Sequence, residues 1–157
     1  MADSRDEALL CLRGMASESM APKLLEEMRA IARSNDDATT EAEPAQTYCV
    51  GVIRWVETFP DDEEIATLAP SALTRFGTGE DVWLAARCMW RFPDSAAVQL
   101  SAIRCFIAML QDKKTTPSQL QDENVVQLLT QALLRHTSDE QLQFLGRSLI
   151  SMAVERL

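Results

Sequence analysis

NVVQLLTQALLRHTSDEQLQFLGRSLISMA, which occupies residues 124–153, contains two helical patterns separated by a short polar turn. From Val125 to His136 apolar residues recur every three or four positions, as they do on one face of an α-helix. Ser138, followed by Gln141, predicts a capping box that starts the last helix of the chain. The stretch therefore predicts two amphipathic helices joined by a tight connection.

The rest of the chain also shows helix starts and stops. Glycine (5) and proline (6) are scarce, which favours long helices over many short strands. Besides Ser138, five residues are predicted to cap helix N-termini: Ser19, Asp61, Thr78, Asp94 and Thr116. The predicted helices before residue 124 cover residues 3–13, 19–33, 45–59, 61–76, 79–92 and 94–111, with a further start at 116. No stretch indicates a strand, so the sequence predicts an all-α fold.

An internal repeat is indicated when residues 65–92 are aligned without a gap on residues 125–152, 60 positions later. The apolar phase of the helices and the position of the turn agree in this alignment. The preceding helices match 50 positions apart, which places Arg54 on Arg104 as the lone charge of an apolar stretch. Either the chain repeats a structural unit, or unrelated leucine-rich amphipathic helices align to this degree. We favour repetition because the turn and the cap align together with the helices.

The repeat predicts how the chain is organised. Residues 45–157 are expected to form one helical repeat domain of two three-helix units, 45–92 and 95–157. Residues 1–44 precede it as N-terminal helices and an acidic loop.

Two stretches resemble the armadillo and HEAT class of helical repeats. Residues 124–153 look like the second helix, turn and third helix of an armadillo unit. DSAAVQLSAIRCFIAML, residues 94–110, has the V-Q-x-x-A opening that is common in armadillo third helices. The resemblance implies a short right-handed α-solenoid of stacked helices. The spacing of 50 to 60 residues is longer than the roughly 40–47 that such units have.

Trp83, Arg87 and Trp90 are spaced to share one face of a helix, and Gln143 and Arg147 take matching positions in the second unit. In armadillo proteins the third helices line a concave groove that binds extended peptides. The resemblance therefore implies that these five residues contact a partner. The alternative is that the tryptophans pack between helices and the arginines pair with nearby acids.

The charge of the chain argues against nucleic-acid binding. It has 24 acidic and 15 basic residues, giving −9, and no basic face for phosphate contact is indicated. An acidic chain suits a basic protein or peptide partner, or serves solubility. The four cysteines stand singly within apolar patterns, and neither a signal peptide nor a membrane span is apparent. These features predict a soluble cytoplasmic protein.

No catalytic, cofactor or metal motif appears. The acids of residues 61–64 open a helix, where the helix dipole favours them, and lack the spacing of a metal loop. His136, the only histidine, has no cysteine near it in sequence. The prediction is a non-enzymatic scaffold without a cofactor. Two alternatives stay open: an accessory structural subunit of a larger assembly, and a helical enzyme or ligand carrier with a pocket among Tyr48, Trp55 and Cys105.

Overall fold

A computed structural model describes residues 4–16, 52–76 and 81–154. Their helices are α1 (Ser4–Ala16), α2 (52–58), α3 (Glu63–Phe76), α4 (Val82–Arg91), α5 (Ala96–Gln111), α6 (Pro117–Asp122), α7 (Val125–Arg135) and α8 (Glu140–Val154). These three ranges contain no strand, which confirms the all-α prediction for the described chain. The predicted helix 19–33, the start of helix 45–59, the predicted cap Thr78 and the start of helix 79–92 lie outside them. The chain divides into two compact units, Met1–Gly77 and Thr78–Leu157.

In the first unit, α1 packs against α3. Each helix presents small and aliphatic side chains to the core, because its apolar residues share one face. The buried residues of the described ranges are Ala8, Leu9, Cys11, Leu12, Val52, Trp55, Val56, Ile65, Ala66, Ala69, Pro70, Ala72 and Leu73. Arg5 and Arg13 of α1 form ion pairs with the acids that open α3.

Helix α3 is capped by Asp62. Its Oδ1 accepts a hydrogen bond from the backbone N–H of Ile65 at 3.1 Å, so the predicted cap, Asp61, is one residue too early. Burial alone would raise the pKa of Asp62, but hydrogen bonds from Arg5 and Ile65 and the charge of Arg5 together lower it. The ionised Asp62 carboxylate therefore stabilises the folded unit fully at pH values above 3.8, its ordinary pKa. This stabilisation is lost as the pH falls through the lowered pKa of the folded state.

The second unit is built from two antiparallel helix pairs. Helix α4 packs on α5 and α7 packs on α8, while α4 also contacts α7 and α5 contacts α8. The result is two layers, one formed by α4 and α7 and the other by α5 and α8. The short helix α6 leads into the second pair and contacts both α7 and α8. Its predicted start at Thr116 is confirmed, because Thr116 and Gln119 form a reciprocal capping box.

The two pairs share a hydrogen-bonded turn at a spacing of 44 residues. The side-chain amide of Gln99 donates to the carbonyls of Met89 and Phe92, both at 2.9 Å. That of Gln143 donates to the carbonyls of Leu133 and His136, at 2.8 and 2.9 Å. The residues that end α4 and α7, Phe92 and His136, have nearly the same backbone angles. The two helix hairpins are therefore closed by the same pair of hydrogen bonds, each pair donated by one glutamine.

This spacing differs from the 50 and 60 positions of the sequence alignment. Arg54 and Arg104, which the alignment paired, differ in environment, since Arg54 is half-buried and Arg104 is exposed. The division between the two units, at residues 77 and 78, also falls inside the predicted unit 45–92. The alignment followed the apolar phase, which any two amphipathic helices share, whereas the hydrogen bonds of the turn identify equivalent residues.

The helices of the second unit approach closely at Gly146. A Cβ atom at this position would lie 2.9 Å from Cδ2 of Leu133 and 3.8 Å from Cδ1 of Ile103. Gly146 on α8 therefore touches both α7 and the first helix pair. The missing side chain allows α8 to pack against both neighbours at once.

Candidate functional site

A groove of about 460 Å³ lies between α4 and α7. Its volume falls in the range of about 300–1,000 Å³ that is typical of ligand-binding sites. One wall is the outer face of α4, and the other is the first half of α7 with the turn before it. The lining residues are Trp83, Ala86, Arg87, Trp90, Glu123, Asn124, Gln127, Leu128 and Gln131.

The α4 wall consists of the three residues that the sequence placed on one helical face. Trp83 is half-buried, Arg87 is exposed and Trp90 is 69% exposed. Six of the other residues of α4 are buried and the helix packs against α5, whereas these three side chains line the groove. Within the described chain, the structure shows no ion pair for Arg87 and no hydrogen bond for either tryptophan side chain. Their polar atoms are therefore available to a ligand.

The α7 wall is a row of amide side chains that sequence reasoning missed. Gln127 and Gln131 are exposed on α7. Asn124 precedes them with a left-handed backbone (φ 59°), which asparagine tolerates better than most residues. Each amide can donate to a carbonyl and accept from an N–H, as the backbone of an extended peptide requires. The alignment at 60 positions hid this row, because it matched α4 with α8 instead of its real neighbour, α7.

The structure places Gln143 and Arg147 away from the groove, on α8. The amide of Gln143 is engaged with two backbone carbonyls and so closes the turn between α7 and α8. Arg147 is exposed, and its Nη2 lies 3.5 Å from Oε1 of Gln143. The two residues lie together but do not extend the face of Trp83, Arg87 and Trp90.

The cysteine and histidine side chains of the second unit are buried or engaged in contacts that hold the helices together. Cys88 and Cys105 are buried, and burial raises the pKa of the Cys88 thiol to about 12, which keeps it protonated and unreactive at neutral pH. Nε2 of His136 lies 2.8 Å from the carbonyl of Pro93, beside an ion pair between Arg135 and Asp94. These contacts tie the end of α7 to the turn of the first helix pair.

The acids that open α3 are also engaged in the structure. Asp62 and Glu64 bind the arginines of α1. In the part of the chain that the structure describes, no three His, Cys, Asp or Glu side chains come together as a metal site would require.

Comparisons with known proteins give no relative: no protein-family model matches the chain, and no curated protein or solved structure does. No helix among the described residues has the length and apolar character that crossing a membrane requires. The groove is therefore the feature of the chain that bears most directly on its function.

Proposed function

We propose that this chain is a non-enzymatic, protein-binding scaffold whose α4–α7 groove holds an extended segment of a partner. The observation that carries the proposal is a preformed groove with two tryptophans on one wall and three amide side chains on the other. Tryptophan offers a large apolar surface at low entropic cost and is enriched among residues that dominate binding energy. The amides supply hydrogen bonds to backbone groups, which do not depend on the partner's side chains.

The repeated hairpin supports an armadillo- or HEAT-like architecture. Its spacing of 44 residues falls within the roughly 40–47 of such units. The two layers, α4 with α7 and α5 with α8, are also what a stack of helix pairs produces. We infer a short right-handed α-solenoid in which α6, α7 and α8 form a three-helix unit. An intracellular, cytoplasmic location fits the reduced, buried state of the described cysteines, Cys11, Cys88 and Cys105.

Site-specific photo-cross-linking tests this function. A benzoylphenylalanine in place of Gln127 lies in the groove, whereas one in place of Gln141, also an exposed glutamine, lies outside it on α8. In cell extract, position 127 is expected to cross-link to one short segment of a partner, mapped by mass spectrometry. Replacing Trp83 and Arg87 together with alanine is expected to abolish this cross-link without changing the helical circular dichroism. Equal cross-linking from both positions, or cross-linking that survives the double substitution, would contradict the proposal.

A second candidate, an accessory subunit of a larger assembly, is favoured by exposed apolar side chains outside the groove. Leu134 at the end of α7 is 73% exposed and Phe144 on α8 is 71% exposed. Exposed large apolar side chains are candidates for contact with another protein. Replacing both with serine is expected to release the chain from such an assembly in size-exclusion chromatography of cell extract. Under this second candidate, the groove variant with alanine at 83 and 87 stays in the assembly.

A further inference from the structure

Charge is distributed unevenly between the two units, and this bears on what the groove binds. Residues 1–77 contain fifteen acids and seven bases, whereas residues 78–157 contain nine acids and eight bases. The acidic excess that suited a basic partner therefore belongs to the first unit. The groove lies in the second unit, which is close to neutral, so its own side chains decide the charge of its ligand.

Two ionisable side chains line the groove, and they occupy different places. Arg87 stands on α4 between Trp83 and Trp90, in the middle of the apolar wall. Glu123 lies just before α7, at one end of the amide wall. The middle of the groove is thus positively charged, and its other polar side chains are neutral amides.

The position of Glu123 in the groove follows from the direction in which α4 and α7 run, which places Glu123 at the Trp83 end. A smaller adjoining cavity is lined by Met89, Trp90 and Pro93 from the first pair and by Leu128, Gln131, Ala132 and Arg135 from α7. Later residues of α4 therefore face later residues of α7, so the two helices run in the same direction. The arginine at the far end, Arg135, is already paired with Asp94. Arg87 is the groove's cation without such a partner in the described chain.

We propose that the groove binds an extended peptide whose acidic side chain pairs with Arg87 while an apolar side chain, two residues away, lies on Trp83. This inference depends on the proposed peptide-binding function and specifies its ligand. Trp83 and Arg87 are four residues apart, which is about 6 Å along a helix axis. Side chains on the same side of an extended peptide are about 7 Å apart, so alternate residues reach the two positions. The guanidinium can bind a carboxylate through two parallel hydrogen bonds.

Glu123 adds selectivity to this arrangement. An acid placed opposite Trp83 approaches the carboxylate of Glu123 and is repelled, whereas an acid opposite Arg87 is attracted. The groove therefore specifies a spacing: an acid at Arg87 and, two positions from it along the peptide, an apolar residue at Trp83. Asn124, Gln127 and Gln131 form hydrogen bonds with the peptide backbone between the apolar residue and the acid.

Selection of random twelve-residue peptides displayed on phage, against the immobilised full chain, tests the inference. Selected peptides are expected to share an apolar residue and an acid two positions apart. When synthesised, they are expected to shift the indole N–H signals of Trp83 and Trp90 in ¹⁵N-resolved NMR spectra. Trp55, which is buried in the first unit, serves as the internal control and is expected to stay unchanged.

Charge variants then separate the two proposals. Arg87→Gln is expected to weaken the selected peptides by about tenfold, the loss typical of a charge-assisted hydrogen bond. Arg87→Glu is expected to select basic residues at the same position. Arg104→Gln, an exposed arginine of α5 outside the groove, is the matched control and is expected to bind normally.

The outcomes are distinguishable. Peptides that shift Trp83 and Trp90 without an acidic preference, or that bind Arg87→Gln undiminished, overturn the charge inference and leave the groove proposal standing. If no selected peptide moves either tryptophan signal, both proposals are wrong. Circular dichroism of each variant confirms that a lost signal is not a lost fold.

Discussion

The two helix pairs of the second unit have turns that are closed in the same way, but equivalent residues in the two pairs differ in burial. Ile103 of the first pair is fully buried, whereas its equivalent 44 positions later, Arg147, is exposed. Ala86 and Thr130 show the same contrast on the other layer, buried in the first pair and exposed in the second. At these two positions the second pair carries polar side chains where the first pair carries buried apolar ones. Gly146 of the second pair lies over Ile103, which explains why Ile103 is buried.

The largest difference between the pairs is expected at Ile103 and Arg147. Ile103→Ala should lower the free energy of unfolding by about 2–5 kcal/mol, because it leaves a cavity under α8. Arg147→Ala should change it by no more than about 0.5 kcal/mol, as is usual for exposed side chains. Urea denaturation followed by circular dichroism measures both. A large loss at Arg147 would mean that the face of the second pair is covered.

The glutamines that close the two turns give the next largest contrast. Gln99 is only 2% exposed, so Gln99→Ala leaves two carbonyls poorly solvated and should cost about 1–3 kcal/mol. Gln143 is half-buried, and water can replace part of its contribution, so Gln143→Ala should cost less than half as much. Equal losses in urea denaturation would show that burial does not distinguish the two turns.

The second helix of each pair, α5 or α8, begins with a capping residue at the equivalent position. Ser95 accepts a hydrogen bond from the N–H of Val98 at 3.3 Å, and Asp139 accepts one from that of Leu142 at 2.9 Å. Ser95→Ala and Asp139→Ala should each cost about 1 kcal/mol. Ser138→Ala, next to Asp139, is the matched control and should cost much less, whereas Asp94→Ala would also remove the ion pair with Arg135 and is no matched control. Thermal unfolding of the three variants tests whether Ser95 and Asp139 are the caps.

The smallest effect is expected at Gly146, whose equivalent in the first pair is Ala102. Gly146→Ala gains up to about 1 kcal/mol of helix propensity but crowds Leu133, so the net change should stay within about 0.5 kcal/mol. Ala102→Gly loses the propensity and a buried methyl group and should cost about 1–2 kcal/mol. Thermal unfolding compares the two. A Gly146→Ala variant as unstable as Ala102→Gly would show that Leu133 cannot move aside.

The helices of the described chain were largely predictable, because amphipathic periods and turn residues are local properties. The caps were displaced by one residue at three helices. In each case two adjacent polar residues, such as Asp94 and Ser95, are both good caps, and only the geometry of the preceding turn selects one. Thr116 was predicted correctly because Pro117 and Gln119 fix its position.

The groove was half predictable. The spacing of Trp83, Arg87 and Trp90 identified one wall, whereas the amide wall depended on which helix lies beside α4. A usable signal was present: Arg91 and Gln99 recur as Arg135 and Gln143, with the same separation. At an offset of 60, however, Arg75, Glu80 and Arg87 also fall on identical residues. Together with the apolar phase, these matches favoured a register that packing does not follow.

The reaction of the buried cysteine thiols with a labelling reagent can measure how often each unit unfolds. A protonated, enclosed Cys88 reacts with a thiol reagent only after its surroundings unfold, and Cys105 is enclosed in the same unit. Cys11 is buried in the first unit. In a Cys49→Ser variant, mass spectrometry can follow how fast each of these cysteines reacts with the reagent. The labelling rates in one time course then report how often each unit opens. Unit-by-unit kinetics can therefore be followed without attaching any probe to the native surface.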